Sequence, residues 1–261
     1  MKRLLKEYYL KVDSFYEKLV RENHAKNSAT EIRNRHELGF IDSALREIVA
    51  EVSEAHGYKV NDIYKIKSTA SSKLWSQKFT KIILRLADLL DMSNYRVSAL
   101  VLNHNLDNMG DTSRFHWLSH LVTKGYEIET DYYLDENKKV NFLEKNSIVE
   151  KIMLRIDVEL PQLTHENPYG CKEMGLESID KTAIKVKCGK ACTSDKCNFL
   201  CKWFVKKNYY LFLELASLQE YLESLPDNYF KPEIEVLVSS SDKNKLSSKQ
   251  FTLLKKYVDG R

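Results

Sequence analysis

The sequence predicts an α+β protein, with a helical first part followed by a smaller α+β extension. Two observations predict it. Glycine is scarce and proline absent before about residue 112, and apolar residues there recur at helical spacings. After that point, short segments alternate apolar and polar residues, which is typical of strands with one polar face.

Composition narrows the class of protein. The chain has 261 residues, of which 43% are hydrophobic and 30% charged, so it can form one large domain or two modest ones. Its net charge of +4 is small and its lysines and glutamates are interleaved, which argues against a duplex-DNA partner. No apolar stretch approaches the ~18–20 residues that span a bilayer, and the N-terminal segment is too polar for a secretory signal. Four of the five cysteines crowd into one window, as expected of reduced thiols in a cytoplasmic protein.

Four helical segments are predicted in the first part, which we expect to form a helical domain over residues 1–112. They are residues 3–22, a segment at 27–35 that continues or restarts the first, residues 42–55 followed by Gly57 as a natural stop, and residues 76–92.

Strands dominate the prediction for the extension, expected over residues 113–240. They are placed at 125–135, 152–161, 183–188 and 233–240, with a helix at 211–225 that Pro226 ends. A polar linker and a terminal helix, FTLLKKYV, follow within residues 241–261.

Two histidines occur in motifs of the helical part. In RENHAKNSA, Arg21, His24 and Ser28 project from one face of a helix, where a structural histidine is the alternative to a functional one. In SEAHG, His56 ends an apolar helix face. Its alternative role is that of an imidazolium interacting with the helix dipole.

A carboxylate lies within an apolar run in ILRLADLLDMSNYR, residues 83–96. The run IILRLADLL is apolar almost all round a helical wheel, so we expect it to be buried. Buried carboxylates are usually paired or bind a metal, so Asp88 requires either a metal ion or an arginine, Arg85 or Arg96. Asp91 follows at i+3 and can face the same site.

Together and in this order, the motifs resemble the HD-domain superfamily of metal-dependent phosphohydrolases, and within it the HD-CE branch, which is found linked to Hsp90-like ATPase modules. The resemblance covers about residues 20–97. The matching residues are Arg21, His24, Ser28, Ala29, Ala55, His56, Gly57, Leu84, Arg85, Leu86, Ala87, Asp88, Leu90, Asp91 and Arg96.

The resemblance implies an all-helical HD-type core that acts on a nucleotide or other phosphate ester. His24, His56 and Asp88 would then be ligands of a divalent metal such as Mn, Fe, Ni or Mg. Arg21, Arg85 and Arg96 would contact phosphate or orient the carboxylates, and Asp91 would support the site. The residue types suit this chemistry, because imidazoles and carboxylates bind such ions and guanidinium groups bind phosphate in a bidentate way. The resemblance also implies an Hsp90-like ATPase partner, in cis or in trans.

The doublet that names the superfamily is absent, because no His-Asp dipeptide occurs in this sequence. Either the chain is a piece of a longer protein that carries the doublet upstream, without the N-terminal helices of its domain, or the site is degenerate. We therefore expect low phosphohydrolase activity from this chain alone. The alternative is a non-catalytic module that senses a nucleotide or acts as a scaffold for an ATPase.

The cysteine-rich segment CGKACTSDKCNFLC contains Cys188, Cys192, Cys197 and Cys201. Four thiolates in so short a segment can close a tetrahedral structural zinc site, although CxxC is the more usual spacing. Reduced cysteines, an iron–sulfur cluster and disulfides are the alternatives.

Two further features have structural and functional interpretations. His116 and His120 lie at i and i+4 and would suit a metal pair, but surface or core histidines are the preferred interpretation. The stretch CKWFVKKNYYLF, residues 201–212, could stack bases. We instead expect it to form the apolar side of a helix or strand with its lysines outward.

Overall fold

The computed structural model describes residues 2–66, 76–131, 151–160, 185–188, 199–225, 231–240, 243 and 245–259. The chain divides into two compact units, Met1–Leu89 and Leu90–Arg261. The first is helical and the second combines helices with a sheet, which confirms the α+β class.

The described helices of the first part are α1 (Lys2–Asn34), α2 (Ser43–Ala55), α3 (Val60–Lys65) and α4 (Gln77–Leu90), with a 3-10 turn at His36–Leu38. The first two predicted segments form one continuous helix, α1. Neither glycine nor proline occurs within it, so no residue of the segment interrupts the backbone hydrogen bonds.

Helices α1 and α2 pack against each other and run antiparallel. Near the loop between them, Arg33 of α1 pairs with Glu47 at 2.9 Å and with Glu54 at 3.4 Å. The Asp42 carboxylate begins α2 by accepting hydrogen bonds from the N–H groups of Ala44 and Leu45. Small side chains are buried on both helices, Ala29 on α1 and Ala50 and Ala55 on α2, which permits close packing.

The second unit contains a four-stranded sheet and several helices. Its described elements are α5 (Ala99–Asn105), α6 (Asp111–Val122), β1 (Thr123–Asp131), β2 (Lys151–Val158), β3 (Lys185–Cys188), α7 (Phe199–Lys207), α8 (Tyr209–Glu223), β4 (Glu233–Ser240) and α9 (Ser248–Asp259). The strand order is β1-β2-β4-β3, with β1 antiparallel to β2 and the other neighbours parallel. All four predicted strands occur. The second ends at Val158, so residues 159–160 are not in the strand, and the other unmatched predicted residues, 132–135, 161 and 183–184, lie outside the described residues.

Apolar side chains at every second position of β2 and β4 form the core beneath the sheet. Leu154, Ile156 and Val158 are buried on β2, and Ile234, Val236 and Val238 are buried on β4. Among the described residues, the largest fully buried side chain is Trp203 of α7, whose indole N–H donates to the Ser119 hydroxyl of α6 at 2.9 Å.

The division between the compact units falls after Leu89, whereas the sequence places the end of the helical domain at residue 112. Helix α6 belongs to the second unit because it packs against α9, where Phe115 stacks on Tyr257 with ring centroids 4.4 Å apart. Helix periodicity alone does not reveal which unit a helix joins.

None of the helices in the described part of the chain is both long enough and apolar enough to cross a membrane.

Candidate functional site

His24 and His56 come together in the first unit. His24 projects from α1 and His56 lies at the C-terminal end of α2, and their ring centroids are 4.7 Å apart with the planes at 58°. His24 is exposed and His56 is half-buried. Two separate sequence motifs therefore meet at one place on the α1–α2 pair.

Gly57 makes this meeting sterically possible. A Cβ atom added at Gly57 would lie 2.6 Å from the Cβ of Ala25, closer than two such atoms can approach. Ala25 is buried and directly follows His24, just as Gly57 directly follows His56. The contact between a glycine and an alanine thus sets the distance between the two histidines.

Backbone carbonyl groups hold His56 and its turn. The His56 ring donates from Nδ1 to the carbonyl of Ser53, which leaves Nε2 with a lone pair, the form in which histidine binds metals. Arg85 of α4 donates to the His56 carbonyl at 3.1 Å and also to the Tyr58 carbonyl. A guanidinium at this end of α2 also interacts favourably with the helix dipole. No motif in the sequence indicated these carbonyl partners.

The electrostatics around the α1–α2 pair come mainly from Arg33 and its two glutamates. The hydrogen bond from Arg33 lowers the pKa of the exposed Glu47 carboxyl. Burial, followed by the charges of Glu54 and Glu51, raises the pKa of Tyr58. Tyr58 therefore stays protonated, and its phenol supplies no anion beside the histidine pair at neutral pH.

The prediction that IILRLADLL is buried all round is wrong. Ile82, Leu86 and Leu90 form one buried face of α4, whereas Ile83 is 45% exposed and Asp88 is also exposed. The opposite face of the run, with Ile83, Ala87 and Asp88, is exposed to solvent. The Asp88 carboxylate therefore does not require a buried counter-ion, and its role as a metal ligand stays a prediction.

Arg96 and Asp91 pair with each other in the second unit. The Arg96 guanidinium lies 3.1 Å from the Asp91 carboxylate and donates to the Asp91 carbonyl at 2.8 Å. The expected alternative of an Asp88 ion pair with Arg96 is therefore replaced by an Asp91–Arg96 pair. Arg21 lies in α1, but its side chain is outside the described part of the structure.

The donor set fits a metal ion only in part. The two imidazoles are close enough to share one ion, since metal–nitrogen bonds are about 2.0–2.1 Å long. Catalytic sites generally use three protein ligands. Within the described segments, no group of three or more His, Cys, Asp or Glu side chains is arranged to hold a metal. The described residues therefore do not complete the site that the resemblance implies.

The cysteine-rich segment falls largely outside the described residues. Cys192 and Cys197 are not among the described residues. Only the backbones of Cys188, at the end of β3, and of Cys201, in α7, are described. The structural zinc site stays a prediction.

A model of the HD-CE family matches residues 2–150, which is more than half of the chain. The match includes all three motifs and extends beyond the resemblance over residues 20–97. Neither a curated protein nor a solved structure gives a match to the chain.

Proposed function

The chain belongs to the HD-CE family, and on that premise we propose that it is an HD-type, phosphohydrolase-like module for a nucleotide or other phosphate ester. The observation that carries the proposal is the close approach of His24 and His56, 4.7 Å apart at their ring centroids. In this proposal the two imidazoles are part of a divalent-metal site. The site is incomplete or degenerate in this chain, which has no His-Asp doublet, so the chain alone turns over little substrate.

Three other residues have different roles in the proposal. Arg85 is a positioning residue, because its guanidinium bonds the carbonyls that follow α2 and so orients His56. Asp88, on the exposed face of α4, is the carboxylate proposed to join the histidines. Arg21 is proposed to contact phosphate.

A second candidate is a non-catalytic module that senses a nucleotide or acts as a scaffold for an Hsp90-like ATPase. One observation favours it. Arg85 bonds the carbonyls of His56 and Tyr58, so it already binds groups within the protein. Such an arginine is less available to stabilise a reacting phosphate than the family resemblance suggests.

The experiment combines a metal titration with an activity assay. We expect added Mn²⁺ to broaden the imidazole NMR signals of His24 and His56, and His56→Asn to remove the broadening of His24. His104, exposed on α5, is the internal control and should stay sharp. Release of phosphate from nucleotides with Mn²⁺ should stay within about threefold of a His24→Ala, His56→Ala variant, because a site without the His-Asp doublet activates water poorly.

The outcomes separate the candidates. Strong phosphate release that the double variant loses would show a complete catalytic site and contradict the proposed incompleteness. Nucleotide binding without Mn²⁺ broadening and without turnover would establish the second candidate. The absence of both Mn²⁺ broadening and nucleotide binding would refute both candidates.

A further inference from the structure

Three basic side chains meet in the second unit, outside the histidine pair. They are His120 on α6, Lys207 at the end of α7, and Arg96 in the 3-10 turn Asn94–Arg96. Helix α6 packs against that turn.

A hydrogen bond between two helices places Lys207 beside His120. The Trp203 indole of α7 donates to Ser119, the residue before His120, at 2.9 Å. Lys207 lies one helical turn after Trp203 on the same face of α7. Packing therefore brings together groups that lie far apart in the sequence.

Positive charge in this cluster exceeds negative charge. Arg96 pairs with Asp91, but in the described part of the chain no carboxylate forms an ion pair with Lys207. Burial, and secondarily the charge of Arg96, lowers the pKa of Lys207 to about 8, so the ammonium is still mostly charged at neutral pH. A half-buried cation without an anion is costly, and proteins rarely keep one without a partner or a function.

His120 is also incompletely satisfied. One ring nitrogen bonds the Met92 carbonyl, whereas Nδ1 is buried and has no hydrogen-bond partner among the described residues. Burial, followed by the charge of Lys207, lowers the pKa of His120 to about 4, and Asp91 opposes the change. A buried polar atom without a partner is uncommon in a folded protein. The cluster is therefore balanced neither in charge nor in hydrogen bonds.

Access to the cluster is open on the side of Arg96. The side chains of Arg96 and Asp91 are 50% and 56% exposed, and Lys207 is half-buried. An anion that reaches the Arg96 guanidinium from solvent also lies in the field of the Lys207 ammonium, because the two cations are close enough to repel each other. A phosphate group suits this pair, because its several oxygens accept from the guanidinium fork and from the three donors of lysine.

We propose that Lys207 and Arg96 form a binding site for a phosphate group, and that His120 beside them senses its occupancy. The bound phosphate cancels the repulsion that Lys207 exerts on a protonated His120 imidazole. Either inorganic phosphate or a phosphate monoester can supply this group. The site lies wholly within the second unit and does not depend on metal binding by His24 and His56.

The test titrates the full chain with inorganic phosphate at constant ionic strength, with chloride as the reference anion. We expect Lys207→Met to weaken phosphate binding by about tenfold or more, because it removes a charge-assisted hydrogen bond. Lys256→Met, an exposed lysine in the last turn of α9, makes the same change in net charge and should alter binding by less than about twofold. In the unsubstituted chain, saturating phosphate should raise the pKa of His120 measured by NMR.

The thermal stability of Lys207→Met distinguishes a phosphate-binding role of Lys207 from a purely structural one. Removal of a half-buried cation without an anionic partner should leave the thermal midpoint of Lys207→Met unchanged or raise it. If Lys207 only stabilises the end of α7, the variant will melt earlier and bind phosphate normally, which overturns the proposal. Phosphate binding no stronger than chloride binding, or a His120 pKa that phosphate leaves unchanged, also overturns it.

Adenosine monophosphate, titrated in the same way, identifies the source of the phosphate. Tighter binding of the nucleotide than of inorganic phosphate, lost in Lys207→Met, assigns the site to phosphate esters. The reverse order of affinities, with the same loss, assigns it to free phosphate. Binding of either probe that persists in Lys207→Met contradicts the site.

Discussion

Gly57 connects the packing of the first unit to its chemistry. The hydrogen that replaces a side chain there lets the end of α2 approach Ala25 of α1, and the histidines that precede these two residues come into contact. The sequence motif AHG therefore has a steric explanation within this chain. It combines a candidate ligand with the residue that allows its helix to pack closely.

Gly57→Ala should destabilise the protein by about 1–3 kcal/mol, because the added methyl overlaps Ala25 and the two helices must separate. Urea unfolding followed by circular dichroism measures the free energy. Gly125→Ala is the control, since a Cβ atom at Gly125 meets nothing within 4 Å, and it should be neutral or slightly stabilising. Equal effects of the two substitutions would contradict the role of the Ala25 contact.

At the scale of elements, α4 supports the end of α2 through Arg85. The family resemblance made Arg85 a candidate for phosphate contact or for orienting carboxylates, whereas its guanidinium bonds the carbonyls of His56 and Tyr58. These carbonyls lie past the last helical hydrogen bonds of α2, where unsatisfied acceptors remain. The arginine satisfies them, and so it links α4 to the position of the His56 ring.

Arg85→Met keeps most of the apolar stem but removes these bonds, and we expect a loss of about 1–3 kcal/mol in unfolding free energy. The His56 imidazole signal should also shift in NMR spectra, because the turn that holds the ring loosens. Arg46→Met in α2 is the control, since the structure gives Arg46 no ion pair within its described part. We expect it to change stability by less than about 0.5 kcal/mol. An unshifted His56 signal in Arg85→Met would argue against the link.

At the scale of the whole molecule, stability should depend on pH through His120 of the second unit. Burial and the charge of Lys207 lower its pKa from 6.5 to about 4 in the folded protein. Between these values the unfolded chain binds a proton at this position that the folded protein does not bind. The folded state therefore loses stability as the pH falls from 6.5 towards 4, and His120 contributes no pH dependence above that window.

The total loss across the window should be roughly 3 kcal/mol, from a shift of about 2.5 pKa units. Urea unfolding at about pH 7 and about pH 5 measures it, and His120→Gln should reduce the difference between the two conditions by about 2 kcal/mol. The exposed His104→Gln is the control and should leave the difference unchanged. A pH dependence that His120→Gln fails to reduce would mean that the folded protein protonates His120 as readily as the unfolded chain does.

The sequence by itself determined the α+β class, helices α2, α4, α8 and α9, the strands in their described parts, and the family resemblance. These follow from local periodicity and short motifs, which depend on nearby residues. Helices α3, α5 and α6 were not predicted, and for α7 a helix was one of two alternatives. The apolar residues of these segments show little periodicity, and α6 buries five of its residues.

Only the tertiary structure decided which side chains meet. The resemblance implied that His24 and His56 share a metal site, which stays a prediction, and the structure brings their rings into contact. The same motifs also suggested a buried Asp88, which is exposed. Helical periodicity tells which residues share a face, whereas burial depends on what packs against that face. The cluster of Arg96, His120 and Lys207 had no sequence signal for the same reason: its members lie far apart in the chain, and the packing of α6, α7 and a 3-10 turn brings them together.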